Sequence, residues 1–250
     1  MRTVIVGAST GLGRCLGIAL AQRGAKVALL ARRQELLEAA AGEAGHGAFA
    51  VTCDVTDAAS CQDAVQAVVA RLGGIDAVVY STGIGVLRRI EDLDAESWMR
   101  SFETNVVGAS LFTAAALPHL AESRGAIAYL SSVSASVTEP WPGLAAYTVS
   151  KAALDKLVEA WRAEHPQVGF TRVVVGDCAG GEGIGASQFA ADWDQDLAGE
   201  LLTEWLQRRL LSGSLMEIEN LVDMVEAVLR CGAAATVPSI QVTPRRPGNA

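Results

Sequence analysis

The stretch TVIVGASTGLGRCLGIAL, residues 3–20, runs from β-branched residues through a loop with glycines at 7, 11 and 13 into a segment that reads as a helix. Phosphate groups need backbone N–H groups at close approach and the positive end of a helix dipole, and glycines permit the tight loop that delivers both. Gly7, Gly11 and Gly13, with Ser9, Thr10 and Leu12 between them, are therefore the candidate phosphate cradle. The spacing G-x-x-x-G-x-G differs from the G-x-G-x-x-G fingerprint of other dinucleotide folds, and the competing reading is a merely tight strand–helix corner.

Six further short apolar runs follow, KVALLA (26–31), AFAVTC (48–53), IDAVVYS (75–81), AIAYLSS (126–132), TRVVVG (171–176) and SIQV (239–242). Mostly longer stretches with helical periodicity separate them. The runs are continuous rather than alternating, as in strands buried on both faces of a parallel sheet. The expected fold is α/β: a doubly wound parallel sheet (Rossmann-like) of about seven strands with helices on both faces. At 250 residues the chain is long enough for one large core, so residues 1–250 are expected to form a single domain. A helix beginning near Ala146 places Leu154, Leu157, Val158 and Trp161 at i, i+3, i+4 and i+7, one apolar stripe. The stretch 180–215, with GGEGIG followed by Trp193 and Trp205, fits this pattern least and is expected to be a mobile substrate loop.

A net charge of -8 argues against nucleic-acid or anionic-membrane partners, both of which want a basic patch. No apolar run reaches the roughly 18 residues a membrane span needs, and MRTVIVG leads straight into a strand, so a cytoplasmic location is expected. Five cysteines, Cys15, Cys53, Cys61, Cys178 and Cys231, are scattered without a C-x-x-C pair, which suggests neither disulfides nor a zinc site. They are expected to be reduced and mostly buried. His46, His119 and His165 lack metal-ligand spacing, and no metal is expected.

AAYTVSK, residues 145–151, sets Tyr147 and Lys151 four apart at the head of the expected helix, on one face. Any surface helix can carry this pair as an exposed phenol and a solvated amine. Its chemical reading is different: a phenol with a pKa of roughly 10 exchanges protons poorly at neutral pH unless a nearby cation stabilises the phenolate.

The glycine motif and the Tyr-x-x-x-Lys pair together resemble the short-chain dehydrogenase/reductase family, and the resemblance runs from Thr3 to about Gly176. It implies a nicotinamide cofactor, with Tyr147 as proton donor or acceptor and Lys151 lowering the phenol's pKa and reaching the nicotinamide ribose. The family's asparagine falls in ETNVVG as Asn105, implied to hold a water between Lys151 and solvent and to flank the cofactor site. Its adenine-binding aspartate falls in CDV as Asp54, beside Val55; the alternative for Asp54 is a cap for the following TDAAS helix. Its serine lies in YLSSVSAS, where strand register selects Ser132 and counting back thirteen residues from Tyr147 selects Ser134; Ser132 is taken as the group that hydrogen-bonds the substrate oxygen. Homo-oligomers, dimers or tetramers, are implied as well.

Two departures stand out. YSTG at 80–83 replaces the family's Asn-Asn-Ala-Gly, keeping Gly83 for backbone approach to the cofactor but losing the asparagines that brace the neighbouring strand. VVVGDCAGG replaces the Pro-Gly and Thr that hold the nicotinamide carboxamide, leaving Asp177, Cys178 or the glycines to substitute. Cofactor choice rests on VALLARRQ, where an NAD-binding fold places a carboxylate about 20 positions past the glycine loop. Ala31 stands there instead, and Arg32 offers a planar cationic fork for a 2′-phosphate. Arg33 reads rather as the start of the next helix, and Arg14 as an assisting cation. The expectation is an NADP(H)-dependent oxidoreductase interconverting a small-molecule carbonyl and alcohol. The alternatives are an NADP(H)-binding protein without turnover, or a dehydratase or epimerase on the same fold.

Overall fold

Each apolar run forms a strand in the computed structural model, which describes residues 1–245. The strands are β1 (Arg2–Val6), β2 (Lys26–Ala31), β3 (Phe49–Thr52), β4 (Ala77–Tyr80), β5 (Ala126–Ser132), β6 (Gly169–Val175) and β7 (Ser239–Val242). They make one sheet in the order β3-β2-β1-β4-β5-β6-β7, and every neighbouring pair is parallel. The order reverses between β1 and β4, and in doubly wound sheets ligands bind in the crevice at that reversal, beyond the strands' carboxyl ends.

The helices are α1 (Gly11–Gln22), α2 (Gln34–Ala44), α3 (Ala58–Leu72), α4 (Ala95–Phe102), α5 (Gly108–Ser123), α6 (Val133–Ser136), α7 (Ala145–Glu164), α8 (Gln195–Gln207) and α9 (Ile218–Cys231). Alternate residues of each strand face opposite sides, so the sheet separates two cores. Val4, Val6, Val78, Tyr80, Ile127 and Tyr129 pack with Val65, Phe112 and Leu154 of α3, α5 and α7. Ile5, Leu29, Val79 and Leu130 pack with Leu16, Leu37 and Val225 of α1, α2 and α9. Both faces are therefore sealed, which is why the strand sequences carry no polar alternation. On α7, Leu154 and Val158 are buried and Leu157 and Trp161 lie against the same core, as the stripe required.

The stretch 180–215 holds a short 3₁₀ turn (Gly183–Gly185) and α8, whose first turn is capped by the Asp194 carboxylate accepting from Leu197 N–H at 2.8 Å. α8 has its own small core, in which Leu201 and Trp205 pack with Leu87, Leu144 and Leu210. A clasp fixes its base: Asp177 accepts from the Ser212 amide at 2.7 Å and the Ser212 hydroxyl at 2.6 Å. All five cysteines are free, but Cys53 and Cys61 alone are fully buried; Cys15, Cys178 and Cys231 are half-buried.

Candidate active site

A cleft of about 560 Å³ opens at the carboxyl ends of β1, β4 and β5 and is lined by the glycine loop, Arg32, Arg33, Asp54, Val55, Gly83, Ser132, Tyr147 and Lys151. The glycines are there for close approach. Gly7 has φ +90°, and a Cβ on it would lie 2.7 Å from the Thr82 amide nitrogen. One on Gly13 would collide with the Gly7 carbonyl and the Ser81 hydroxyl, so α1 can pack this near β1 and β4 only without a side chain. Thr10, the residue that opens α1, makes no side-chain cap, in contrast to Asp57, Asp94 and Asp194 at α3, α4 and α8. The first-turn N–H groups of α1 thus face the cleft without a side-chain acceptor of their own, the arrangement an anion uses. Ser9, Thr10, Gly11 and Leu12 line this end.

At the end of the cleft beside β2 and β3, Asp54 is free of capping duty, because Asp57 caps α3 through Ala59 and Ser60. Burial alone would raise the Asp54 pKa, but hydrogen bonds from the Thr56 amide (3.0 Å) and hydroxyl (2.7 Å), with the charge of Arg32 nearby, bring it below the ordinary carboxylate range. Arg33 does precede α2, as the sequence implied, yet its guanidinium is engaged. It donates to Ser9 Oγ at 2.9 Å and Thr10 Oγ1 at 3.0 Å, across the mouth of the glycine loop. Arg14 is no assisting cation: 5% exposed, it turns from the cleft to pair with Glu43 at 2.5 Å and to donate to the Leu36 carbonyl.

Tyr147, Ser132 and Lys151 meet at the cleft floor. The Tyr147 hydroxyl is pushed up to about 12 by burial, against a lowering contact with Ser132. Ser134 shares a 3.0 Å hydrogen bond with Ser132 but is buried away from the cleft wall, so strand register and not residue spacing locates the serine that faces Tyr147. Lys151 is 4% exposed, donates to the Leu130 carbonyl at 2.8 Å, and lies 5.9 Å from the Tyr147 ring centre. Burial pulls its pKa down to about 8, while the Asp155 carboxylate on the same helix pulls it up.

Asn105 sits behind this floor, fully buried in a π turn (Glu103–Val107) between α4 and α5. Its carbonyl accepts from Ile84 N–H at 2.9 Å, and its amide donates to Ile84 O at 3.0 Å and Ser150 Oγ at 2.8 Å. Both donors are spent on protein, so the side chain clamps the loop after β4 against α7. The residues that replace the expected asparagines at 80–83 do related work. Ser81 Oγ donates to the Val6 carbonyl at 2.6 Å, tying β4 to β1, and Tyr80 OH donates to the Thr104 carbonyl at 3.1 Å inside the π turn. A Cβ on Gly108 would lie 3.1 Å from that Tyr80 oxygen and 2.7 Å from Val55 Cγ2, which explains the glycine three residues after Asn105.

The region after β6 supplies what sequence reasoning missed. Phe189 stands edge-on to Tyr147, ring centres 4.9 Å apart, in a space left by Gly85, where any Cβ would strike its ring. Trp193 stacks edge-on to Phe189 at 5.3 Å and donates to the Gly85 carbonyl at 2.8 Å. The aromatic content of this segment was visible in the sequence, but its contact with Tyr147 was not. The Asp177 carboxylate is occupied with Ser212, and Gly176, Asp177, Cys178 and Gly180 line the cleft beyond β6. Among the described residues no cluster of His, Cys, Asp and Glu is suited to a metal, and no helix is long and apolar enough to cross a membrane.

Comparison with known proteins agrees with this architecture. A family model described as short chain dehydrogenase matches residues 2–182. An 11-beta-hydroxysteroid dehydrogenase A of Sesamum indicum is 35% identical over 179 residues, which cover 69% of this chain but 51% of that protein, so the match spans about half the relative's length. A gluconate 5-dehydrogenase of Gluconobacter oxydans is 30% identical over 226 residues, 88% of this chain and 84% of the relative. Among solved structures, a short-chain type dehydrogenase/reductase from Mycobacterium marinum superposes with a TM-score of 0.81 at 27% identity, covering 96% of this chain and 93% of that one. With its family model matched over more than half its length and its parallel sheet shared with solved members, the chain belongs to the short-chain dehydrogenase family of oxidoreductases.

Proposed function

We propose that the protein is an NADP(H)-dependent oxidoreductase that interconverts a carbonyl and an alcohol, with Tyr147 transferring the proton. The observation that carries this reading is the meeting of Tyr147, Ser132 and a buried Lys151 on the floor of the same cleft that the glycine loop lines. The cleft fits a dinucleotide at three points: uncapped amides at α1, glycines that leave room for phosphates, and cations with Asp54 at the far end. When bound there, the reduced nicotinamide supplies the hydride. The protein's residues do the rest. Ser132 holds the substrate oxygen beside the Tyr147 hydroxyl and stabilises the charge that develops on it. Tyr147 gives its proton to that oxygen in reduction and takes it back in oxidation. The Lys151 ammonium stabilises the phenolate left behind. Asn105 keeps the Ile84 backbone and Ser150 fixed around this group.

Arg32 is proposed to hold the 2′-phosphate, with Arg33 closing the loop beside it, and the substrate to enter as a small molecule beneath Phe189 and Trp193. Homo-oligomers and a cytoplasmic site of action accompany the reading as family expectations. The test is a panel of aldehydes and ketones with NADPH, followed by loss of the reduced-nicotinamide absorbance. Turnover is expected to be level below about pH 8 and to fall above it, as Lys151 gives up its charge. A protein that binds NADPH and consumes none with any carbonyl would leave the binding or dehydratase alternative standing instead.

A further inference from the structure

Tyr147 and Lys151 are followed on α7 by a third ionisable group at the same spacing, Asp155. It is 6% exposed, as deeply placed as Lys151. A carboxylate survives such burial only when it is paired. Arg172 of β6 donates to its Oδ2 at 3.2 Å. Its Oδ1 and the neighbouring Ser131 hydroxyl are both enclosed, close enough for the hydroxyl to favour the carboxylate, although neither completes a hydrogen bond of normal geometry among the described residues. Ser131 directly follows Leu130, whose carbonyl accepts from Lys151.

The groups around Lys151 are Tyr147 and Asp155 on α7, the Leu130 carbonyl on β5, and Gly83 with Asn105 across from it. Asp155 is the carboxylate of that set. Around Asp155 stand Lys151, Ser131 and Arg172, and Arg172 in turn feels Glu159 and Arg162 of α7. The stripe is thus a line of alternating chemistry through the helix: phenol, ammonium, carboxylate, and then a guanidinium from the adjoining strand.

We propose that Asp155 is a positioning residue of the catalytic site, a buried carboxylate one turn beyond Lys151 and paired with Arg172, whose field keeps the ammonium charged beneath Tyr147 while the Leu130 carbonyl fixes its position. The value of that charge to catalysis rests on the carbonyl–alcohol reading above; its existence does not. Arg172 acts as the counterweight. It stabilises the Asp155 carboxylate for burial and at the same time competes with Lys151 for its field, so the two neighbours of Asp155 pull in opposite senses. A carboxylate kept only to staple α7 to β6 would show no such opposition.

The test uses the full chain without cofactor or substrate. The protein has three lysines, Lys26, Lys151 and Lys156, and the other two are exposed. Labelling lysine at the ε-carbon therefore gives a readable NMR titration, with the Lys151 signal assigned by Lys151→Arg and expected to titrate near 8. Asp155→Asn is expected to lower that midpoint by about one pH unit, the order of a unit charge one helical turn away in partly screened surroundings. Arg172→Gln is expected to raise it by a smaller amount. A midpoint that Asp155→Asn leaves in place, or that both variants lower, overturns the proposal. Should Asp155→Asn not fold, an Arg172→Gln midpoint at or below that of the wild type does so alone. Where a carbonyl substrate is in hand, the alkaline limb of kcat/KM follows the same two shifts; opposite NMR shifts without turnover of any carbonyl support the Asp155 inference and count against the reaction.

Discussion

The two ends of the cleft are built by different means. At the end proposed to hold the adenine, Arg32, Arg33 and Asp54 come from chain segments that directly follow β2 and β3, and the two arginines stand exposed to solvent. At the end proposed for catalysis, Lys151 and Asn105 are almost wholly enclosed, and their partners Leu130, Ile84 and Ser150 lie 21, 21 and 45 positions away. Exposed charges in mobile side chains select between ligands and are weakened by salt. Enclosed groups with spent hydrogen bonds are fixed before any ligand arrives, which is where electrostatic catalysis draws its strength. The difference predicts that substitutions at the catalytic end change rates, whereas those at the adenine end change cofactor choice.

The largest effect tests the first half of that division. Tyr147→Phe removes the oxygen proposed to transfer the proton and leaves the ring against Phe189, so cofactor affinity should hardly move while kcat falls by roughly 10²–10⁴-fold, the usual share of general acid/base catalysis. Cofactor titration and steady-state rates on the same preparation separate the two. Undiminished turnover in the phenylalanine variant would sink the assignment of Tyr147.

Much of this was open to reading in the sequence, and for a physical reason. Continuous apolar strands, a glycine loop at a strand–helix junction and a four-residue helical spacing are all local, and local patterns survive without coordinates. The runs quoted at 26–31, 126–132 and 239–242 match β2, β5 and β7 to the residue, and the others differ only at their ends. Strand register likewise brought Ser132 to the cleft. What stayed hidden depends on tertiary contact. Arg14 looked available because it follows the glycine loop, but Glu43 on the next helix claims it. Arg33 looked like a solvated helix start, but it reaches back to Ser9 and Thr10. Asn105 could be picked out within ETNVVG, but no periodicity announces the π turn that holds it.

A middle-sized effect tests the adenine end. One charge-assisted hydrogen bond to a 2′-phosphate corresponds to roughly a 10- to 150-fold preference for NADPH over NADH. Arg32→Ala should erase most of that preference and leave NADH affinity unchanged. Arg33→Ala should weaken both cofactors, because it also frees the Ser9 and Thr10 hydroxyls at the mouth of the phosphate loop. Calorimetric titration of each cofactor into each variant, repeated at higher salt, reads both outcomes. Equal affinities of the wild type for NADPH and NADH would remove the case for NADP(H).

The smallest effect lies where the two ends join, at the carboxyl end of β4. Tyr80 occupies the place of an expected asparagine, is wholly buried, and packs against Tyr129 with ring centres 6.1 Å apart. Burial raises its pKa well above the ordinary phenol range, so the ring stays neutral and its hydroxyl serves as a donor at every physiological pH. That donor meets the Thr104 carbonyl in the π turn, where Gly108 N–H bonds back to Glu103 and the bonding register of the helix is shifted by one. A π turn of this kind needs help from outside the helix, and Tyr80 gives it one residue before Asn105. Tyr80→Phe keeps the ring packing and removes the single bond, depriving the part-buried Thr104 carbonyl of that donor. The expected cost is about 1 kcal/mol of stability, or roughly 2–4 °C in Tm for a chain of this size. If the bond only stabilises, kcat will survive the substitution unchanged. If it also sets the angle of the π turn, Asn105 loses its alignment with Ile84 and Ser150, and kcat falls several-fold with KM for the cofactor intact. Thermal unfolding and steady-state rates on this one variant therefore show whether the floor of the site is held rigid from β4 as well as from α7, and a variant as stable and as active as the wild type would mean that Tyr80 merely fills the core.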